Sequence, residues 1–219
     1  MSSGIERHHP NFSGLDLRGH SLCEIDVSKC NFEDCVFDAD TGGDCEFDLN
    51  FFSSQMSRVK MQGLYLFSTC FVEANLQEAN FDGCFFQGVD FQFADLSSAT
   101  LTNTDWCSDI DQFGDQWSIT LGDNAKFVNA KLSGSKMNRV ELTSADFTGA
   151  DLSQTHLQYA DLTGSVLAGA NLVGADLTGA VLKRANLSNA DLSNATLTDC
   201  DLEEAILEGA TMPDGSIHP

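Results

Sequence analysis

A five-residue period governs this chain more than any other feature. From Phe127 to Met212 an apolar residue stands at every fifth position, through Phe147, Leu152, Leu167, Leu172, Leu187, Leu192 and Leu207. Two residues before each of these centres sits a small residue, such as Ala170, Ala175 or Ala190. The position between them is usually Asp or Asn, as in Asp146, Asp151, Asn171 and Asp176. The same pattern runs through Phe12, Leu17, Leu22, Val27, Phe32 and Phe37, with Phe47 resuming that frame after a gap, and in a shifted frame from Met61 to Trp106. One slip falls between Phe51 and Met56.

A helix would need apolar residues at i, i+3, i+4 and i+7, and a simple strand would need strict alternation. Two apolar positions per five, spaced by two, describe a short extended piece followed by a bend. The extended piece turns the small residue and the centre to one side and the Asp or Asn to the other. Glycine stands two after the centre at 12 of the 18 glycine positions, among them Gly63, Gly149 and Gly174. That is where a bend is easiest without a Cβ. The expected core therefore includes Phe127, Phe147, Leu152, Leu167, Ala170, Leu172, Leu187, Ala190, Leu192 and Leu207.

Runs such as Ala145-Asp146-Phe147-Thr148-Gly149 and Ala175-Asp176-Leu177-Thr178-Gly179 resemble the pentapeptide-repeat consensus, and the resemblance covers roughly residues 10–217. It implies an all-β fold: a right-handed quadrilateral parallel β-helix of about nine coils, four pentapeptides per coil, with residues twenty apart stacked as ladders. At ~4.8 Å per coil such a rod is roughly 45 Å long. The whole chain, 1–219, then forms one solenoid domain with a flexible start at 1–9.

The repeat breaks twice. Residues 38–44 read as a small loop of turn residues, and residues 107–124 as a large loop carrying Asp109, Asp111, Phe113, Asp115 and Trp117. Aromatics among acids suit a recognition element. The alternative is that Phe113 and Trp117 fold back over a frame shift. The tail 211–219 reads as a turn closing the last coil.

Composition narrows the function. There are 33 Asp and Glu against 11 Lys and Arg, a net charge of −22. Residues 1–124 hold 21 of the acids and 5 of the bases, and no Lys or Arg occurs from Met61 to Ala125. Such a surface repels nucleic acid and anionic membranes and attracts basic protein surfaces. The acids recur as a repeat feature, the histidines are scattered, and no nucleotide-binding or hydrolase motif appears, so no enzyme is expected. Cys30, Cys35, Cys45, Cys84 and Cys200 occupy the small inward slot, where a thiol acts as a small hydrophobe, while Cys23, Cys70 and Cys107 lie outward or adjoining. No metal, cofactor or disulfide is expected. The N-terminus has no apolar run of signal-peptide type, which points to the cytoplasm.

DNA carries one charge per ~1.7 Å of axis, hence ~26 charges on a rod of this length. The chain resembles quinolone-resistance members that engage DNA gyrase as DNA mimics, and also cyanobacterial members that act as regulatory scaffolds. The first resemblance implies a basic-surfaced partner such as gyrase or another topoisomerase, met by the two loops and by the acids Asp82, Asp90, Asp95 and Asp105. The second implies a regulatory protein partner with no topoisomerase role. Monomer and homodimer are both compatible with the sequence.

Overall fold

The computed structural model describes residues 10–18, 22, 27–37, 49–106 and 119–219. The chain winds as a four-sided solenoid. Each side is a ladder of parallel bridges, and the bridging residue is the one just before each apolar centre. The first face carries Asn11, Asn31, Gln55, Asn75, Asp95, Lys126, Asp146, Val166, Asn186 and Ile206. The second runs from Asp16 through Lys60, Thr100 and Asn171 to Thr211. The third runs through Tyr65, Phe85, Asp105, Lys136, His156, Asp176 and Thr196. The fourth holds Asn50, Cys70, Asp90, Leu121, Glu141, Asp161, Val181 and Asp201.

Regular strand among the described residues is confined to β1 (Tyr65–Phe67) and β2 (Phe85–Gln87), paired in parallel. Elsewhere a bend cuts the strand every fifth residue, so each extended piece makes one rung. Leu172 N–H donates to the Asp191 carbonyl at 2.7 Å, and Asp191 N–H to the Ala170 carbonyl at 2.9 Å. One coil is thus tied to the next on all sides, the nearest-neighbour coupling of a solenoid.

The bend is a hydrogen-bonded turn. Ala175 N–H donates to the Leu172 carbonyl at 3.0 Å, and of the two residues between them only Gly174 has a positive φ, +68°. A left-handed residue at the third position alone defines a type II turn. Among the described residues, twenty-one other than glycine hold the same corner conformation, including Glu78 (φ 58°), Phe93 (59°) and Tyr159 (59°). The corner therefore demands the left-handed region whatever residue stands there, which the glycine statistics alone did not reveal.

The Asp or Asn before each centre does more than face outward. Its Oδ1 accepts the N–H two residues on, as in Asp146 to Thr148 (2.9 Å), Asn171 to Val173 (3.1 Å) and Asp176 to Thr178 (3.0 Å). This is the local side-chain turn that these two residue types make best.

Register across the breaks is exact in count. Rungs lie 20 apart, except Asn31–Gln55 and Val36–Lys60, 24 apart, and the set from Asp90–Leu121 to Asp105–Lys136, 31 apart. One coil is lengthened by four residues and another by eleven, and the faces continue in line beyond both. Across the first, Arg58 pairs with Asp34 at 2.8 Å and Glu33 at 2.7 Å. The expected small loop at 38–44 and most of the large one lie outside the described residues.

The apolar centres and small residues pack in the interior. Phe127, Phe147 and Leu187 are wholly buried, as are Leu152, Leu167, Ala170, Leu172, Ala190 and Leu192 to within 1% exposure. Leu207, in the last coil, is only partly buried. Phe51 and Met56, placed at the slip, are full centres of the shifted frame. Phe51, Phe71 and Phe91 stack on the fourth face at 5.2 Å with rings nearly parallel. The next centre in that column is Gly122, which the five-residue frame did not include. A Cβ there would stand 2.6 Å from Leu142 Cδ2, so the leucine above fills the vacant slot. In the same coil Trp106 is fully buried against Phe86, Phe91 and Phe127. Here the phenylalanine core of the fourth face gives way to leucine. At the far end, Thr211 and Ile217 form an antiparallel bridge, and Met212 N–H donates to the Ser216 carbonyl at 2.7 Å.

Candidate protein-interaction surface

The four described acids singled out in the sequence do not share one surface. Asp95 lies on the first face, Asp105 on the third and Asp90 on the fourth, while Asp82 sits in the turn between the second and third. They also differ in freedom. Asp105 is bound to Lys136 at 2.9 Å. Asp95 accepts from the Ser97 hydroxyl and from Gln77 Nε2. Burial pushes the Asp95 carboxyl up, but those hydrogen bonds, with Lys126 nearby, outweigh it and leave it below the usual range. Asp82 accepts both the N–H and the hydroxyl of Thr102, at 2.9 and 2.6 Å. The Asp90 carboxylate accepts the Gln92 N–H at 2.9 Å. Asp109, Asp111, Phe113, Asp115 and Trp117 lie outside the described residues.

The lysines have their own order. Lys126, Lys131 and Lys136 are successive rungs on the first, second and third faces of one coil. They form a basic belt just past the longest coil and set positive charge over Asp95 and Asp105. The fourth-face rung in that coil is Glu141. Among the described residues, the fourth face is the one ladder without a Lys, Arg or His rung. Its acids are Asp90, Glu141, Asp161 and Asp201, with Asp123 following Gly122 in the turn. Of these, Asp201 pairs with Lys183 at 3.2 Å, and no described ion pair involves Asp90, Glu141 or Asp161. Glu141 and Asp161 were missed in the sequence because their common face with Asp90 appears only when the 31-residue step is known.

A second surface was hidden by the same ambiguity. Tyr65, Phe67 and Phe85 lie on the third face, with ring centres 5.4 and 6.3 Å apart. Tyr65 is 69% exposed and Phe67 53%.

A shallow cleft of about 220 Å³ is lined by Lys183, Arg184, Glu203 and Glu204. Lys183 is already held by Glu203 at 2.8 Å, which raises its pKa. Among the described residues no group of His, Cys, Asp and Glu is placed to hold a metal. The described cysteines are free thiols, and burial pushes Cys84 up to about 12. No helix of the described residues is long and apolar enough to cross a membrane.

Ladder, corner and inward small residue together define a pentapeptide solenoid, and the family model for pentapeptide repeats matches residues 69–105, 125–158, 145–184 and 175–214. The chain belongs to the pentapeptide-repeat family, whose members form right-handed quadrilateral β-helices and serve as structural or interaction proteins. Among solved structures it is similar to HetL, a pentapeptide repeat protein involved in heterocyst differentiation regulation in the cyanobacterium Nostoc sp. strain PCC 7120. Identity is 25% over 96% of this chain and 92% of that one, with a TM-score of 0.33. It is also similar to QnrB1, a plasmid-mediated fluoroquinolone resistance protein, at 18% identity over 90% and 86% of the two chains, TM-score 0.48. Rfr23 from the cyanobacterium Cyanothece 51142 is 27% identical over 59% of this chain and 90% of that one, TM-score 0.30. No curated protein matches at the sequence level. The family assignment rests on the repeat and not on these superpositions.

Proposed function

We propose that this chain is a non-catalytic interaction rod that modulates a type II topoisomerase, DNA gyrase being the first candidate, by offering it an acidic face in place of DNA. The observation that carries this reading is the fourth face. Asp90, Glu141 and Asp161 stand on rungs of one ladder, free of ion pairs and with no base between them. Rungs repeat at ~4.8 Å, so three steps set Asp90 and Asp161 about 14 Å apart on a rigid line. A DNA-binding groove is lined with Lys and Arg that expect regularly spaced negative charge. The rod repels nucleic acid itself for the same reason. Asp82, Asp95 and Asp105 add to the field, and Asp109, Asp111, Phe113, Asp115 and Trp117 extend the contact in this proposal.

The test is supercoiling by purified gyrase, with and without a quinolone, as the protein is titrated in. Inhibition, or relief of the drug's effect, is expected, weakening as salt rises through screening. No effect at micromolar protein overturns the topoisomerase reading.

A second reading, a regulatory scaffold with no topoisomerase role, is favoured by the aromatic cluster of Tyr65, Phe67 and Phe85, which DNA mimicry does not require. Under it, a pull-down partner is lost on replacing those aromatics while gyrase is indifferent to the protein.

A further inference from the structure

Most ladder slots before a centre are polar: Asn75, Asn80, Asp90, Asp95, Thr100 and Asp105 stand near the cluster in sequence, with Cys70 the exception among them. Tyr65 and Phe85 fill two successive rungs with aromatic rings instead. Neither can give the turn its usual side-chain acceptor, the bond that Asn80 gives Asp82 N–H at 2.9 Å. The fold gains no burial in exchange, since Tyr65 and Phe67 stay exposed. The rings adjoin one another and form a single apolar patch, and β1 and β2 hold it on the most regular backbone of the described rod.

Its surroundings are mostly acidic. Asp82 precedes Phe85 in the turn, Asp90 follows on the fourth face and Asp105 is the next rung over Phe85, against Lys60 on the second-face rung before Tyr65 and a Lys136 already bound to Asp105. Apolar rings rimmed chiefly by carboxylates suit a guanidinium, which stacks on an aromatic face and forks to a carboxylate. The rod makes such a contact at the corner that follows this face: the Arg139 guanidinium lies 5.3 Å over the Tyr159 ring.

We infer that Tyr65, Phe67 and Phe85 form a docking site for an arginine-bearing segment of a partner protein, with Asp82 and Asp90 as its electrostatic rim. This deepens the interaction-rod reading and rests on it. It does not need the partner to be a topoisomerase.

The experiment is calorimetric titration of the full chain with a short synthetic peptide of alternating Arg and Leu, and with a Glu and Leu peptide of the same length. Two variants are compared with the parent. Tyr65→Asn with Phe85→Asn restores the residue that other rungs carry, so the coil keeps its turns. Glu208→Gln removes one exposed charge in the last coil, far from the cluster. The parent binds the Arg peptide and not the Glu peptide, the aromatic double variant weakens binding by about tenfold, and Glu208→Gln changes it by less than about twofold. Three results overturn the inference: a parent that ignores the Arg peptide, equal affinity in the aromatic variant, or binding of the Glu peptide as well. A gyrase assay that fails while these results hold removes the topoisomerase and leaves the site. A gyrase assay that succeeds while the aromatic variant binds the Arg peptide normally removes the site alone.

Discussion

Replacing Trp106 by alanine strikes the one coil where the core changes character. The indole is fully buried, with ring centres 5.2 Å from Phe86, 5.6 Å from Phe91 and 6.0 Å from Phe127, and its Nε1 donates to Thr104 Oγ1 at 2.7 Å. Loss of a buried Trp to Ala costs about 3–5 kcal/mol, of which each aromatic pair supplies about 0.5–1.5. Thr104 is not orphaned, because its hydroxyl still donates to the Leu101 carbonyl at 2.9 Å. The cost is therefore cavity and contact, and it falls near the upper end, because Gly122 in the same coil has no side chain to move in. Trp106→Leu, which restores an ordinary centre, costs roughly half as much. Guanidinium unfolding followed by far-ultraviolet circular dichroism reads both. Since each coil is held by its neighbours, the cavity also loosens the two halves from each other. Hydrogen exchange then quickens most in amides of 86–106 and 125–137 and least in 160–190. A loss below about 1 kcal/mol, or uniform exchange along the rod, refutes the reasoning.

Three further outcomes follow from the turns and the core. Leu172→Ala, at a buried centre between intact coils, lowers stability by about 2–5 kcal/mol in the same denaturation assay. Glu78→Gly relieves a left-handed corner at φ 58° and raises stability by about 0.5–1 kcal/mol, whereas Gly63→Ala, where nothing lies within 4 Å of the added Cβ, loses about 1 from backbone strain alone. The Ser193 hydroxyl and N–H hold the Asp191 carboxyl below its ordinary value, and Asp176 and Asp95 end lower as well despite the opposing pull of burial. A carboxyl lowered in the folded state stabilises above its unfolded pKa of about 3.9, and that contribution is lost as pH falls through the lower folded value. Thermal melts should therefore lose stability below about pH 4, and Asp191→Asn should flatten part of that slope while keeping the turn.

Most of the fold could be read from the chain, because each coil is local: centre, small residue and corner recur within five positions, and Ala145 to Gly149 already contain the whole rule. What could not be read was the alignment of coils. Facing rungs lie 20, 24 or 31 residues apart, and nothing near Asp90 announces that its next rung is Leu121. The common face of Asp90, Glu141 and Asp161 follows from that step alone. Gly122 escaped because a glycine at a centre carries no apolar signal, although its spacing from Phe127 was legible. Tyr65 and Phe85 escaped because an aromatic beside Leu66 or Phe86 looks like more core until the frame assigns it to an outward slot. Of the candidate surface, the acids were legible as composition and only Asp90 as position.

Continuity of the fourth face across the eleven extra residues decides whether those acids act as one surface. Cysteines placed at Asp90 and Leu121, with Cys70 on the rung below replaced by serine, stand on adjacent parallel rungs, within the Cα separation a disulfide spans, about 4.4–6.8 Å. Asn171 and Asp191, twenty apart in uninterrupted repeat, give the reference pair. Oxidation mapped by mass spectrometry should close both pairs at comparable rates. A reference pair that closes beside a 90–121 pair that does not would contradict the face.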